Sequence, residues 1–145
     1  MIRTVSIIED DLKFALLLKK LIEIEEDLAC AEIYSNLKGS LTGLAEQAPD
    51  IVLLDIQLPD GLGSEYVSIL KRITPNTQFI MCTSFDNDDY IFDSLKNGAS
   101  GYIMKSDSQD KIIQAIYDVL ADGAPMSSSI AKKVVSHFQS RSRSL

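Results

Sequence analysis

Tryptophan is absent from this 145-residue chain, histidine occurs once and cysteine twice. The single histidine, His137, has no partners at metal-ligand spacing and does not read as a ligand. Cys30 and Cys82 each lie in an apolar, strand-like run without C-x-x-C spacing. A bridge between them is conceivable on paper, but buried reduced thiols in a cytosolic protein are the better reading. No apolar run is long enough to span a bilayer, which excludes a membrane helix. The N-terminus enters a strand-like run directly, with no signal or transit pattern, so a cytoplasmic location is expected. Positive charge is also short: 14 Lys and Arg face 21 Asp and Glu, for a net charge of −7. That surface repels phosphate backbones, and DNA binding by these residues alone is not expected. What remains is ample for one core. Hydrophobic residues make up 46% and charged residues 24%, which excludes a disordered tail and fits a single globular domain.

Two kinds of segment alternate. Val5–Ile8, Leu28–Tyr34, Ile51–Leu54, Phe79–Cys82 and Tyr102–Met104 read as strands. Between and after them the apolar period changes to that of helices. Phe14, Leu17, Leu18, Leu21 and Ile22 share one face, and Ile112, Ile113, Ile116, Val119 and Leu120 form the clearest stripe. A weaker helix spans Leu37 to Ala48, diluted by Gly39 and Gly43. The segment 57–63 reads as a loop, a third helix reaches Ile73, and a fourth runs from about Asp88 to a left-handed cap pair at Asn97-Gly98. Continuous apolar strands alternating with amphipathic helices predict an α/β fold, a doubly wound five-stranded parallel sheet covered on both faces. Right-handed crossovers then place the functional crevice outside the carboxyl ends of the strands.

Five polar groups stand at those ends: Glu9 and Asp10 after the first strand, Asp55 after the third, Thr83 after the fourth and Lys105 after the fifth. Three carboxylates brought together would each favour protonation unless a cation relieved them. Oxygen-only ligands at an open rim suit Mg²⁺. A hydroxyl and an ammonium beside them are what a tetrahedral anion needs, so the set predicts a phosphoryl-transfer site. Each residue alone has a plainer explanation. Asp10 or Asp11 could cap the first helix, Asp55 could open a loop, Thr83 could be an ordinary strand-end hydroxyl, and Lys105 could be a solvated charge. Their common position on one edge of one sheet argues against coincidence.

Ile7-Ile8-Glu9-Asp10-Asp11, Asp55-Ile56-Gln57-Leu58-Pro59 with Gly63, Thr83-Ser84 and Gly101-Tyr102-Ile103-Met104-Lys105 resemble the motifs of the receiver domain of bacterial response regulators, the CheY-like family. The separations from Asp10 to Asp55, Thr83 and Lys105 are successively 45, 28 and 22 residues. The resemblance runs from about Arg3 to Gly123. It implies a flavodoxin-like strand order, 2-1-3-4-5, with five helices. It also implies that Asp55 is the phosphoacceptor for a sensor histidine kinase or phosphotransfer protein. Glu9, Asp10, Asp55 and the backbone carbonyl of Gln57 would hold Mg²⁺, and Lys105 would neutralise phosphoryl charge. Thr83 and Tyr102 would be a switch pair biasing an output face made by the fourth helix, fifth strand and fifth helix. Such a domain catalyses only its own phosphorylation and dephosphorylation, and phosphorylation-dependent homodimerisation is plausible for it. Glu9 stands where Asp is commoner, and Ser106 where many members have Pro, so a cis bond after Lys105 is not expected. Gln57 and Phe85 occupy positions that tune aspartyl-phosphate lifetime, and the bulk of Phe85 favours a long one.

Beyond Gly123 the run Ser127-Ser128-Ser129 can cap a further helix in which Ile130, Val134 and Phe138 share a face, packing either on their own domain or on a second copy. Arg141–Ser144 reads as a frayed linker. Together with Asn97–Tyr102, this stretch is similar to receivers of NarL/LuxR-type transcription regulators. The chain therefore divides into a receiver domain at 1–124 and an extra helix with linker at 125–145, leading towards an absent helix-turn-helix output domain. An excised receiver is favoured over a natural single-domain regulator. Asp86, Asp88 and Asp89 read as solvated groups favouring the fourth helix rather than as a second metal site. Three alternatives weigh less. A phosphatase of the haloacid-dehalogenase type would carry its nucleophile after the first strand and a second Asp where Gln57 stands. A flavodoxin would not place Glu9-Asp10-Asp11 against a flavin phosphate. A degenerate receiver would have lost a site residue.

Overall fold

The structure is a computed structural model that describes residues 1–143. Its elements, in chain order, are β1 (Arg3–Ile8), α1 (Leu12–Ile24), β2 (Leu28–Tyr34), α2 (Leu37–Gln47), β3 (Ile51–Leu54), β4 (Gln57–Leu58), β5 (Gly61–Leu62), α3 (Gly63–Ile73), β6 (Gln78–Thr83), α4 (Asp88–Lys96), β7 (Gly101–Met104), α5 (Gln109–Leu120) and α6 (Ser128–Arg143). The main sheet is all parallel, in the order β2-β1-β3-β6-β7. Counting only its own five strands, that is the expected 2-1-3-4-5 order.

Alternation along the strands divides the core into two layers. Val5, Ile7, Leu53, Ile80, Cys82 and Ile103 point to the side covered by α1 and α5. Ile8, Val52, Leu54, Phe79, Met81 and Tyr102 point to the other, against α2, α3, α4 and the start of α6. Both cysteines are free thiols. Burial pushes the Cys82 thiol up, and the charge of Asp55 adds to it.

Three local features differ from the sequence expectation, and the cap of α1 decides between two residues it left open. The segment 57–63 contains a two-stranded antiparallel hairpin, Gln57 opposite Leu62 and Leu58 opposite Gly61. It is too short to show an apolar period. The cap of α1 is Asp11, whose Oδ1 accepts from the amides of Lys13 and Phe14, which leaves Asp10 outside that role. The hydroxyl of Ser127 does not cap α6; it turns to Asp107 at 2.5 Å, and only the Ser127 carbonyl joins the first turn. Arg141 to Arg143 are helical rather than frayed, whereas Ser144 lies outside the described residues. Elsewhere the punctuation is as expected. The fourth helix ends at Lys96, and Gly98 takes a φ of +114°, a region open to a residue without a Cβ. Cis peptide bonds are absent among the described residues.

The hairpin is tied to α2 by Asp60, which accepts from the amides of Leu37 and Lys38, each at 2.9 Å. With Asn36 accepting from Gly39 at 2.6 Å, three otherwise unsatisfied donors at the start of α2 have partners. The same bonds hold the Asp60 carboxyl below its ordinary range. A carboxylate with a lowered folded-state pKa contributes stability above its unfolded value near pH 4, and loses it as the pH falls through the folded value. Asp60→Ala is therefore expected to lower the melting temperature at pH 7, with the gap to the parent chain narrowing in strong acid. A gap independent of pH in thermal melts would contradict this assignment.

Candidate functional site

The four charged residues picked out at the strand ends meet at one rim. Glu9 and Asp10 follow β1, Asp55 follows β3 and Lys105 follows β7. Carboxylate oxygens of Glu9, Asp10 and Asp55 all lie within 4.8 Å of one another. Lys105 Nζ bridges two of them, 2.6 Å from Glu9 Oε1 and 3.0 Å from Asp55 Oδ2. Backbone donors fix the remaining oxygens of that pair. Glu9 Oε2 accepts from the Asp11 amide at 3.0 Å, and Asp55 Oδ1 from the Ile56 amide at 2.7 Å. Glu9 and Asp55 are buried, at 3% and 4% exposure, whereas Asp10 is exposed.

Electrostatics at this rim are set by burial. Loss of solvent pushes Glu9 up to about 7, against the hydrogen bonds from Lys105 and the Asp11 amide that pull it down. Burial alone would lower Lys105, but hydrogen bonds to Glu9 and Asp55 outweigh it and the ammonium is held above its ordinary value. The ring of Phe14 supports that ammonium, 4.9 Å from Nζ to the centroid, a cation–π contact. Phe14 was visible in the sequence only as a core position of α1.

The two switch candidates meet through a third residue. Thr83, the last residue of β6, is fully buried and its Oγ1 accepts from the Phe85 amide at 3.4 Å. Tyr102 is also fully buried and donates its hydroxyl to the Phe85 carbonyl at 2.5 Å. Burial, with the charges of Asp86 and Asp55 nearby, raises the Tyr102 phenol and keeps it a donor. Gln57 begins β4, and its exposed side-chain amide donates to the Tyr90 hydroxyl at 3.3 Å. Tyr90 meets the Phe85 ring edge to face at 6.1 Å. No local pattern marks Tyr90 as the link between these two positions.

One glycine makes the geometry feasible. A Cβ on Gly63 would sit 2.0 Å from the backbone oxygen of Asp55, while its amide donates to Ile56 at 2.6 Å. The N-terminus of α3 therefore abuts the turn that carries Asp55, an approach that a larger residue would prevent.

The sequence matches the family model described as "Response regulator receiver domain" over residues 5–117. The chain belongs to the response regulator receiver domain family. An uncharacterized transcriptional regulatory protein, YxjL of Bacillus subtilis, is 32% identical over 97 residues, 66% of this chain and 44% of that protein. The oxygen regulatory protein NreC of Staphylococcus epidermidis is 26% identical over 124 residues, 85% of this chain and 57% of that protein. The receiver thus spans about half the length of the curated relatives it matches. Among solved structures, a two-component response regulator of the LuxR family from Aurantimonas superposes with a TM-score of 0.88 at 23% identity, covering 94% of this chain and 98% of that one. A CheY-like receiver domain protein from Methanospirillum hungatei gives 0.79 at 24%, covering 84% and 96%. Both are likenesses of fold.

Receiver domains are signalling proteins of two-component systems rather than classical enzymes, and they bind Mg²⁺ at an acidic pocket. The donor set here fits that ion: three clustered carboxylates, one of them exposed, without nitrogen or sulfur ligands. Among the described residues it is the one such cluster, and Asp86, Asp88 and Asp89 do not form a second. No helix among the described residues is long and apolar enough to cross a membrane.

Three carboxylates against one ammonium leave the rim over-charged, with Asp10 the most solvated of the three. Asp10→Asn is expected to raise the melting temperature of the metal-free receiver slightly and to abolish the rise in melting temperature that Mg²⁺ brings to the parent chain. Equal Mg²⁺ responses in the two proteins would remove Asp10 from the binding site.

Proposed function

We propose that this receiver accepts a phosphoryl group on Asp55 from a sensor histidine kinase or phosphotransfer protein, in a Mg²⁺-dependent reaction. The observation that carries the reading is the placement of Lys105 Nζ 3.0 Å from Asp55 Oδ2 inside the acidic pocket. A nucleophilic carboxylate and a positive charge then stand side by side. A carboxylate oxygen of Asp55 attacks phosphorus; the P–N bond of the phosphohistidine breaks, and its electron pair returns to the imidazole nitrogen, which takes up a proton. The product is an aspartyl phosphate. Lys105 exchanges its contact with Asp55 for one with a phosphoryl oxygen, and the buried Thr83 hydroxyl, whose oxygen already accepts from Phe85, donates its proton to another. Glu9, Asp10, Asp55 and the Gln57 carbonyl would hold Mg²⁺, which when bound would neutralise phosphoryl charge.

The output reading follows from the same site. Thr83 and Tyr102 both grip the backbone of Phe85, so a move of Thr83 shifts the start of α4 and with it the face formed by α4, β7 and α5. In a longer regulator of the NarL/LuxR type that face would control a helix-turn-helix domain and transcription, with dimerisation as one route. Phe85 and Tyr90, packed edge to face beside Gln57, limit water access and favour a long-lived phosphate in a cytoplasmic setting.

Intact-protein mass after incubation with acetyl phosphate tests the chemistry. The expected result is one added phosphoryl group in the parent chain, none without Mg²⁺ and none in Asp55→Asn. Phe85→Ala is expected to shorten the half-life of the adduct. Addition that persists in Asp55→Asn would reject the assignment, and no addition despite bound Mg²⁺ would point to a phosphorylation-independent interaction domain.

A further inference from the structure

The segment after α5 does not stand clear of the receiver. Met126 pairs with Tyr102 as a parallel bridge, the Tyr102 amide donating to Pro125 at 2.9 Å and the Ser127 amide to the Tyr102 carbonyl at 3.1 Å. Helix α6 then lies against α4. Ile130 is fully buried, and Val134 packs with it in the layer that holds Ile91 and Tyr102. His137 stacks on Phe92, ring centroids 4.1 Å apart, while Val135 and Phe138 face solvent. Lys133 reaches back to the β6–α4 connection. Its Nζ donates to the Asp86 carbonyl at 2.8 Å and pairs with Asp88 at 3.2 Å.

Three side chains therefore hold two consecutive residues of that connection. Thr83 accepts the Phe85 amide, Tyr102 donates to the Phe85 carbonyl, and Lys133 donates to the Asp86 carbonyl. We propose that α6 is a latch closed on the β6–α4 connection by Lys133 and by the His137–Phe92 stack, and that phosphorylation of Asp55 releases it. The proposal rests on the reading of Asp55 as phosphoacceptor. Drawing the Thr83 hydroxyl towards a phosphoryl group takes the acceptor from the Phe85 amide. The Phe85 carbonyl shares a planar peptide unit with the amide of Asp86, so residue 86 moves with it and leaves the reach of Lys133. Coupling of this kind is reciprocal: a docked α6 opposes phosphorylation by the free energy with which phosphorylation loosens α6.

Hydrogen–deuterium exchange of the 145-residue chain, with and without acetyl phosphate and Mg²⁺, reads the latch directly. Exchange across residues 130–138 is expected to accelerate on loading. Lys133→Ala is expected to accelerate it without loading, and to raise the initial rate of phosphorylation on the order of fivefold. His137→Ala should act in the same direction, and Lys132→Ala, at an exposed neighbour, in neither assay. Unchanged α6 exchange in a chain whose mass shows a full phosphoryl load overturns the latch and leaves the Asp55 assignment standing. Equal phosphorylation rates in Lys133→Ala, His137→Ala and Lys132→Ala also overturn it. Absence of any added mass on the parent chain overturns the Asp55 assignment and the latch together.

Discussion

A single ammonium makes this rim possible. Two buried carboxylates, Glu9 and Asp55, face each other across a sheet edge where their mutual repulsion and the loss of water both work against ionisation. Lys105 stands between them and satisfies one oxygen of each, while backbone amides satisfy the others. The lysine is in turn placed by β7 and by the Phe14 ring, and by its own amide, which donates to the Thr83 carbonyl at 2.8 Å. Strand order, the α1 core face and Thr83 are thus joined to one charge. Burial that would be costly for either partner alone becomes a way of holding a carboxylate in one orientation.

The parts of this architecture that could be read from the sequence are those set by long, regular apolar patterns. Ile51–Leu54 and Phe79–Cys82 are continuous apolar runs because both faces of a parallel sheet are covered, and Ile112–Leu120 shows its helical stripe because one face alone is buried. The charged residues of the site were legible because each interrupts such a run at the same end. What escaped detection depends on contacts between residues far apart in sequence. Asp60 caps a helix that begins 23 residues before it, and Lys133 bonds a carbonyl 47 residues earlier. Neither leaves a local pattern, because a carboxylate in a turn and a lysine on a helix are ordinary in both places. The hairpin at 57–62 is two residues per strand, shorter than any period can register, and Met126 joins the sheet by one bridge.

The two layers of the core also carry different duties. The layer beneath α1 and α5 is lined mainly by branched aliphatic side chains and ends at Lys105 and Glu9. The opposite layer holds the bulkier Tyr102, Phe79 and Met81, of which Tyr102 ends in a hydroxyl, with Phe85, Tyr90 and Phe92 packed at its margin. Aromatic side chains with a hydroxyl can exchange one polar partner for another while the ring stays covered. An aliphatic layer thus lies behind the charges and a more aromatic layer beneath α4.

The position of β1 between β2 and β3 has a consequence for how the chain assembles. Its partners β2 and β3 follow it directly, whereas β6 and β7 add outward from β3 in the order in which they are synthesised. Folding that proceeds from the N-terminus would bring Glu9, Asp10 and Asp55 together before Lys105 has joined them. The nascent domain would then carry its acidic rim without a counter-charge, and β7 would be the strand that both closes the sheet and neutralises it. In this chain, completing the sheet and completing the site are the same event.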